Sequence, residues 1–219
     1  MRQGRFFRSA LLGGMACLGF ALSAAARTVV IDAAEIDRAG AIADDAPRMS
    51  WAGYQPWTAT IYHSNAVDLM PGHSMLVRFP ITKIPAGQKI TSAELIVPVE
   101  GIGGNDVRFY LWRLLPEWGH GVCHLYRSTR PAKSPWTVSG VRGVATDRAV
   151  QPTAIVRLTA VGEQAINVTE DVELWYTGAV PNNGWMFTVE DSGTFVRIPS
   201  PTLADRAQTW RLRITYEPE

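Results

Sequence analysis

Three groups of side chains in this sequence could do chemistry. His120-Gly-Val-Cys-His124 places two imidazoles and a thiol in one short run, ligand types that suit zinc or copper. The run also follows a haem-attachment C-x-x-C-H, with His120 in place of the first cysteine. A structural zinc site needs a fourth ligand, and the sequence points to none. The plain alternative is a loop with two exposed histidines and a half-buried thiol. The second group is aromatic. Trp51, Tyr54, Trp57 and Tyr62 lie in or beside a breaker-rich segment, interleaved with Gln55, Thr58, Thr60 and His63. Sugars stack their C–H faces on rings and need hydrogen-bond partners for their hydroxyls, so these residues are the candidate ligand-binding set. The competing reading is a loop folded over an open end of the domain with its rings buried. The third group is acidic: Asp44, Asp45, Asp106, Glu117, Asp147, Asp191 and Asp205. A glycosidase needs two facing carboxylates, and these are scattered in turn-like contexts. Neither G-x-S-x-G nor H-E-x-x-H occurs. No catalytic residue is assigned.

The address of the chain constrains these readings. Arg2, Arg5 and Arg8 precede an apolar run from Ala10 to Leu22, followed by Ser23-Ala-Ala-Ala26. This is the pattern of a signal peptide over residues 1–26, cut before Arg27. The run is too short to span a bilayer. Cys17 raises a lipoprotein reading, against which Gly14 stands where Leu is expected. The expected location is therefore secreted, periplasmic or cell-surface, with no transmembrane segment in the mature chain. Residues 27–219, about 190 in all, suit one domain. Only Cys123 remains there, so no intramolecular disulfide can form. The net charge of +1, without basic runs, argues against nucleic acid as a partner.

The elements that must position these groups are mostly strands. From Ser74 to Val99 two period-two stretches flank Ile84-Pro-Ala-Gly87. Met75, Val77, Phe79 and Ile81 form one apolar face; Leu95, Val97 and Val99 form another. Thr28–Asp32, Trp57–His63, Asp106–Leu114, Thr153–Ala160, Ala165–Val168 and Gln208–Glu217 also read as strands. Trp185–Val189 and Thr194–Ile198 read as a hairpin around Asp191-Ser-Gly193. Ala33–Asp45 is ambiguous between helix and edge strand. Thr169–Gly178 is the one helix, with Thr169 as cap and Val172 and Trp175 on one face. Leu115–Pro152 is a long connection that Trp118 and Trp136 should hold against the domain. Eight tryptophans are many for this length. Trp118, Trp136, Trp175, Trp185 and Trp210 are expected in the core. The fold class is all-β: a two-sheet antiparallel sandwich, of jelly-roll type, with one short helix.

Several of these stretches, in this order, resemble a family. Leu76-Val-Arg-Phe79 and Ile84-Pro-Ala-Gly-Gln-Lys-Ile-Thr-Ser-Ala-Glu-Leu95 match an L-x-R-F strand and an I-P-x-G-x-x-I-x-S-A-x-L run. Glu117-Trp118, Trp136, Ile166-Asn-Val-Thr169, Val172-Glu-Leu-Trp175, Asn183-Gly-Trp185 and Leu212-Arg-Ile-Thr-Tyr216 follow. The set, over about residues 42–216, resembles the secreted bacterial DNRLRE domains, which overlap carbohydrate-binding module family 96. The family's Asp after R-F is Pro80 here, and its Asn-Tyr-Gly is Trp51-Ala-Gly53. The resemblance implies a jelly roll, a secreted location and a binding or structural role.

Together these readings favour a non-catalytic, secreted module that binds polysaccharide or a cell-surface glycan. An envelope adhesion or structural module is the first alternative, and a polysaccharide lyase the second. No cofactor is called for; calcium is left unassigned, and His120, Cys123 and His124 are the only weak metal candidates.

Overall fold

Apolar–polar alternation sets most of the strands seen in the computed structural model, which describes residues 25–54, 66–201 and 210–219, with 51–54 as backbone alone. In chain order these are β1 (Arg27–Asp32), a 3-10 turn (Ala33–Glu35), β2 (Arg38–Ala43), β3 (Trp51–Tyr54), β4 (Ala66–Leu69), β5 (His73–Arg78) and β6 (Gln88–Val99). Then come β7 (Gly101–Gly103), β8 (Arg108–Arg113), β9 (Tyr126–Ser128), β10 (Ser134–Pro135), β11 (Ala154–Arg157) and β12 (Gly162–Asn167). The helix α1 (Thr169–Tyr176), β13 (Trp185–Thr188), β14 (Phe195–Pro199) and β15 (Arg211–Pro218) complete the order. The expected strand over Trp57–His63 lies outside the described residues, as do residues 1–24 of the expected signal segment 1–26.

β9 and β10 form a two-stranded antiparallel ribbon; the other strands pair antiparallel in a four-stranded sheet, β1-β15-β6-β12, a six-stranded sheet, β11-β8-β13-β5-β2-β3, and a three-stranded sheet, β4-β14-β7. All three contribute to one core. Leu95, Leu212 and Ile214 from the first sheet meet Met75, Val77, Phe109, Leu111 and Phe187 from the second. Val67, Leu69, Val196 and Ile198 come from the third. Phe187 and Trp210 touch edge to face across the layer, 5.6 Å between ring centres. The chain is thus all-β and antiparallel with one short helix, as expected.

Three local expectations change. First, β13 and β14 do not form a hairpin. β13 pairs with β5 and β8, and β14 with β4 and β7. The turn at Asp191-Ser-Gly193 carries the chain from one sheet to another. Second, β6 carries a bulge: Ser92 faces Thr215 but Ile90 faces Tyr216. Thr91 is the extra residue, and its hydroxyl donates to the Thr215 carbonyl at 3.1 Å. The bulge inverts the alternation, so Ile90 is buried and Thr91 exposed. Third, Thr169 does not cap α1. Val168 holds the cap position with no side-chain bond. Thr169 Oγ1 instead accepts from Ala93 N at 2.9 Å and donates to Asn167 Oδ1 at 2.8 Å, tying the helix to β6. The ambiguous Ala33–Asp45 stretch resolves into the 3-10 turn, held by a capping box of Asp32 and Glu35, and β2, which lies inside the six-stranded sheet.

The second sheet is covered on both faces. Its outer residues Ile42, Leu76, Trp112, Leu114 and Met186 form a second core with Trp118, Val122, Trp136 and Val141. Those last four come from the long connection 115–152, which therefore acts as a cap. Both cap indoles find acceptors: Trp118 Nε1 donates to Asn183 O at 2.8 Å, and Trp136 Nε1 to Cys123 O at 3.0 Å. Asn183 Nδ2 also donates to Leu115 O at 2.6 Å. Gly184 follows at φ +76°, where a Cβ would collide with the Val77 carbonyl. Asn183-Gly184-Trp185 is thus a junction of cap and both cores. Inside the cap the Asp147 carboxylate accepts from the N–H groups of Thr137, Val138 and Gly143 at 2.9, 2.9 and 3.1 Å.

Candidate functional site

The aromatic candidates are only partly placed. Trp51 and Tyr54 lie on β3, opposite Ala41 and Arg38 of β2, and β3 is the outermost described strand of the six-stranded sheet. Trp57 and Tyr62 lie outside the described residues. The five tryptophans expected in the core are all buried.

A concavity of about 970 Å3 opens at one end of the sandwich, between the start of α1, β11 and the end of the cap. Its floor is built around Asp171, in the first turn of α1. Asp171 Oδ2 accepts from Trp185 Nε1 at 2.7 Å and from the Thr153 hydroxyl at 2.6 Å. Its Oδ1 lies 2.8 Å from Arg113 Nε in an ion pair. Helix, β8, β13 and the segment leading into β11 are thus joined by one buried carboxylate, whose two oxygens are both engaged inside the fold. The walls carry exposed Gln151, Asn167, Glu170 and Glu173, beside the apolar Val150 and Ile155, 60% and 55% exposed. With Asp171 compensated by Arg113, the two glutamates leave the groove net negative.

The His120–His124 run is pulled apart by the cap. Cys123 is buried, 1% exposed, where a half-buried position was expected. His120 is exposed, while His124 turns towards a smaller cleft at the other end of the six-stranded sheet. Among the described residues, the His, Cys, Asp and Glu side chains that converge as a trio are Asp44, Asp45 and His73. That trio is exposed or half-buried, and His73 Nε2 pairs with Asp45 at 3.3 Å. Partial burial pushes the His124 imidazole below its usual pKa, and the Arg142 charge adds to this, while Asp44 opposes it.

Comparison with protein-family models and with curated protein sequences gives no match. The site therefore has to be read from its own chemistry. Sequence reasoning missed the groove, because its walls come from three stretches: 113–115, 145–155 and 167–173. The one available signal was Asp171 itself. It reads as a helix-dipole partner, and only the fold turns it into a tie between elements.

Proposed function

We propose that this chain is a secreted, non-catalytic β-sandwich module that binds polysaccharide in the groove beside α1. The groove carries this reading. It sets exposed amide and carboxylate groups next to exposed aliphatic side chains, the mixture that sugar hydroxyls and C–H faces require. Glu170 and Glu173 make it unfavourable for uronate or sulfated chains, so a neutral or amino-sugar polymer is the ligand class. The commitment of Asp171 to three partners supports binding over hydrolysis or elimination. The likeness to DNRLRE domains, the signal-type leader and a first strand that starts at Arg27 support a secreted module.

A glycan array with neutral, amino-sugar and acidic polymers, followed by calorimetry, tests the reading. Gln151→Ala and Glu173→Ala should each weaken binding about tenfold, or about 1.4 kcal/mol, with unchanged melting. Loss only in Trp51→Ala or Tyr54→Ala would move the ligand to the β3 edge. Absence of binding to every polymer would favour the structural or adhesion alternative.

A further inference from the structure

At the opposite end of β13 from the groove lies the smaller cleft, about 300 Å3, lined by Ser74, His124, Arg142, Arg148, Thr188 and Glu190. We propose that it binds a phosphate-type oxyanion between Arg142, Arg148 and His124. Arg148 is held rigidly. Its guanidinium stacks 3.9 Å from the Trp112 ring centre, and Nη1 lies 3.4 Å from Glu190 Oε1. Its Nε is buried with no hydrogen-bond partner among the described residues, and the same holds for His124 Nδ1. Buried polar atoms are rarely left so, and here two of them belong to residues that line one cleft. Thr188 adds a hydroxyl proton, since its oxygen already accepts from Trp112 Nε1 at 3.2 Å.

The backbone supports the same arrangement. Gly140 has φ +76°, and a Cβ there would lie 2.8 Å from His124 Cε1 and 3.5 Å from Arg142 Nε. The glycine keeps open the spot where these two groups converge. Val141, directly before Arg142, is fully buried at φ +62°, a costly conformation for a β-branched residue. Asp147 holds the segment in that shape through its three N–H bonds. The negative groups nearby are Glu190, in the cleft, Asp44, beside His124, and Asp147, which is turned to the N–H groups of Thr137, Val138 and Gly143. Two guanidiniums disfavour a cation, and Glu190 engages only one of Arg148's five N–H donors. A doubly charged oxyanion competes with Glu190 better than a carboxylate does, and guanidinium forks match its geometry.

The test is an NMR titration of the purified chain with inorganic phosphate, glycerol phosphate and sulfate. Saturable amide shifts are expected at Gly140, Arg142 and Thr188, with sulfate weaker than phosphate. Arg142→Ala, an exposed residue, should weaken phosphate binding at least tenfold with unchanged melting, and Arg142→Lys should recover part of it. Equal binding of glycerol phosphate would identify a phosphoryl group on a larger molecule, and its exclusion the free ion. Gln151→Ala, in the groove, should leave phosphate affinity unchanged, so this result is independent of the polysaccharide reading. No saturable shift at these amides, or equal affinity in wild type and Arg142→Ala, would overturn the proposal.

Discussion

Asp147 and Asp171 show how single side chains decide what the chain can do. Both are buried carboxylates with both oxygens engaged inside the fold. Asp147→Ala removes the acceptor of three N–H groups and should cost roughly 3 kcal/mol. Denaturant titration checks this, with the Trp118 and Trp136 fluorescence reporting on the cap. Cys123 behaves differently. It has no disulfide partner among the described residues, yet it is buried within the cap. Cys123→Ser places a hydroxyl in an apolar site and should lower stability by about 1–3 kcal/mol, whereas Cys123→Ala should cost less. Thermal melts of both variants decide it, and equal melting would mean that the hydroxyl finds an acceptor. For His124 the sign of the pH effect follows from its lowered pKa. The unfolded chain binds the proton more readily, so the His124 contribution is complete above the ordinary value of 6.5. It is lost as pH falls from there towards the lowered folded value. Stability curves between about pH 7 and 5 should therefore be flatter in His124→Gln than in wild type.

At the scale of elements, most strands were legible because one face of each is apolar at period two. Met75, Val77 and Phe79 are buried where alternation puts them, and so are Leu212, Ile214 and Tyr216. Partners were not legible. Asp191-Ser-Gly193 signals a reversal, but nothing local tells β14 to leave β13 for β4 and β7. Alternation also fails where both faces are covered: Leu76 and Trp112 fall on the face opposite the main core and are buried all the same. Only the tryptophans of the distant connection hint at that. The candidate site follows the same logic. His124 stood out by its residue type, while Arg142 and Arg148 meet it only through the cap. Phe79→Ala should cost about 3–5 kcal/mol as a buried ring lost from the main core. Arg211→Ala should cost under about 1 kcal/mol, since its pair with Glu163 at 2.7 Å lies on the solvated face of β15. Urea titrations of the two variants compare them directly, and similar losses would mean that the faces of these strands are misassigned.

For the molecule as a whole, the cap converts a two-layer sandwich into three layers over the six-stranded sheet. The groove and the smaller cleft sit at opposite ends of β13, each roofed by a different part of that cap. β13 itself is buried at every residue, hydrogen-bonded along both edges, and sealed above and below. Its amide protons consequently have no route to deuterium through fraying, edge breathing or movement of the cap alone. They should exchange only when the entire chain opens, so that Met186 and Phe187 report the global unfolding free energy from within the native protein, on a clock of their own.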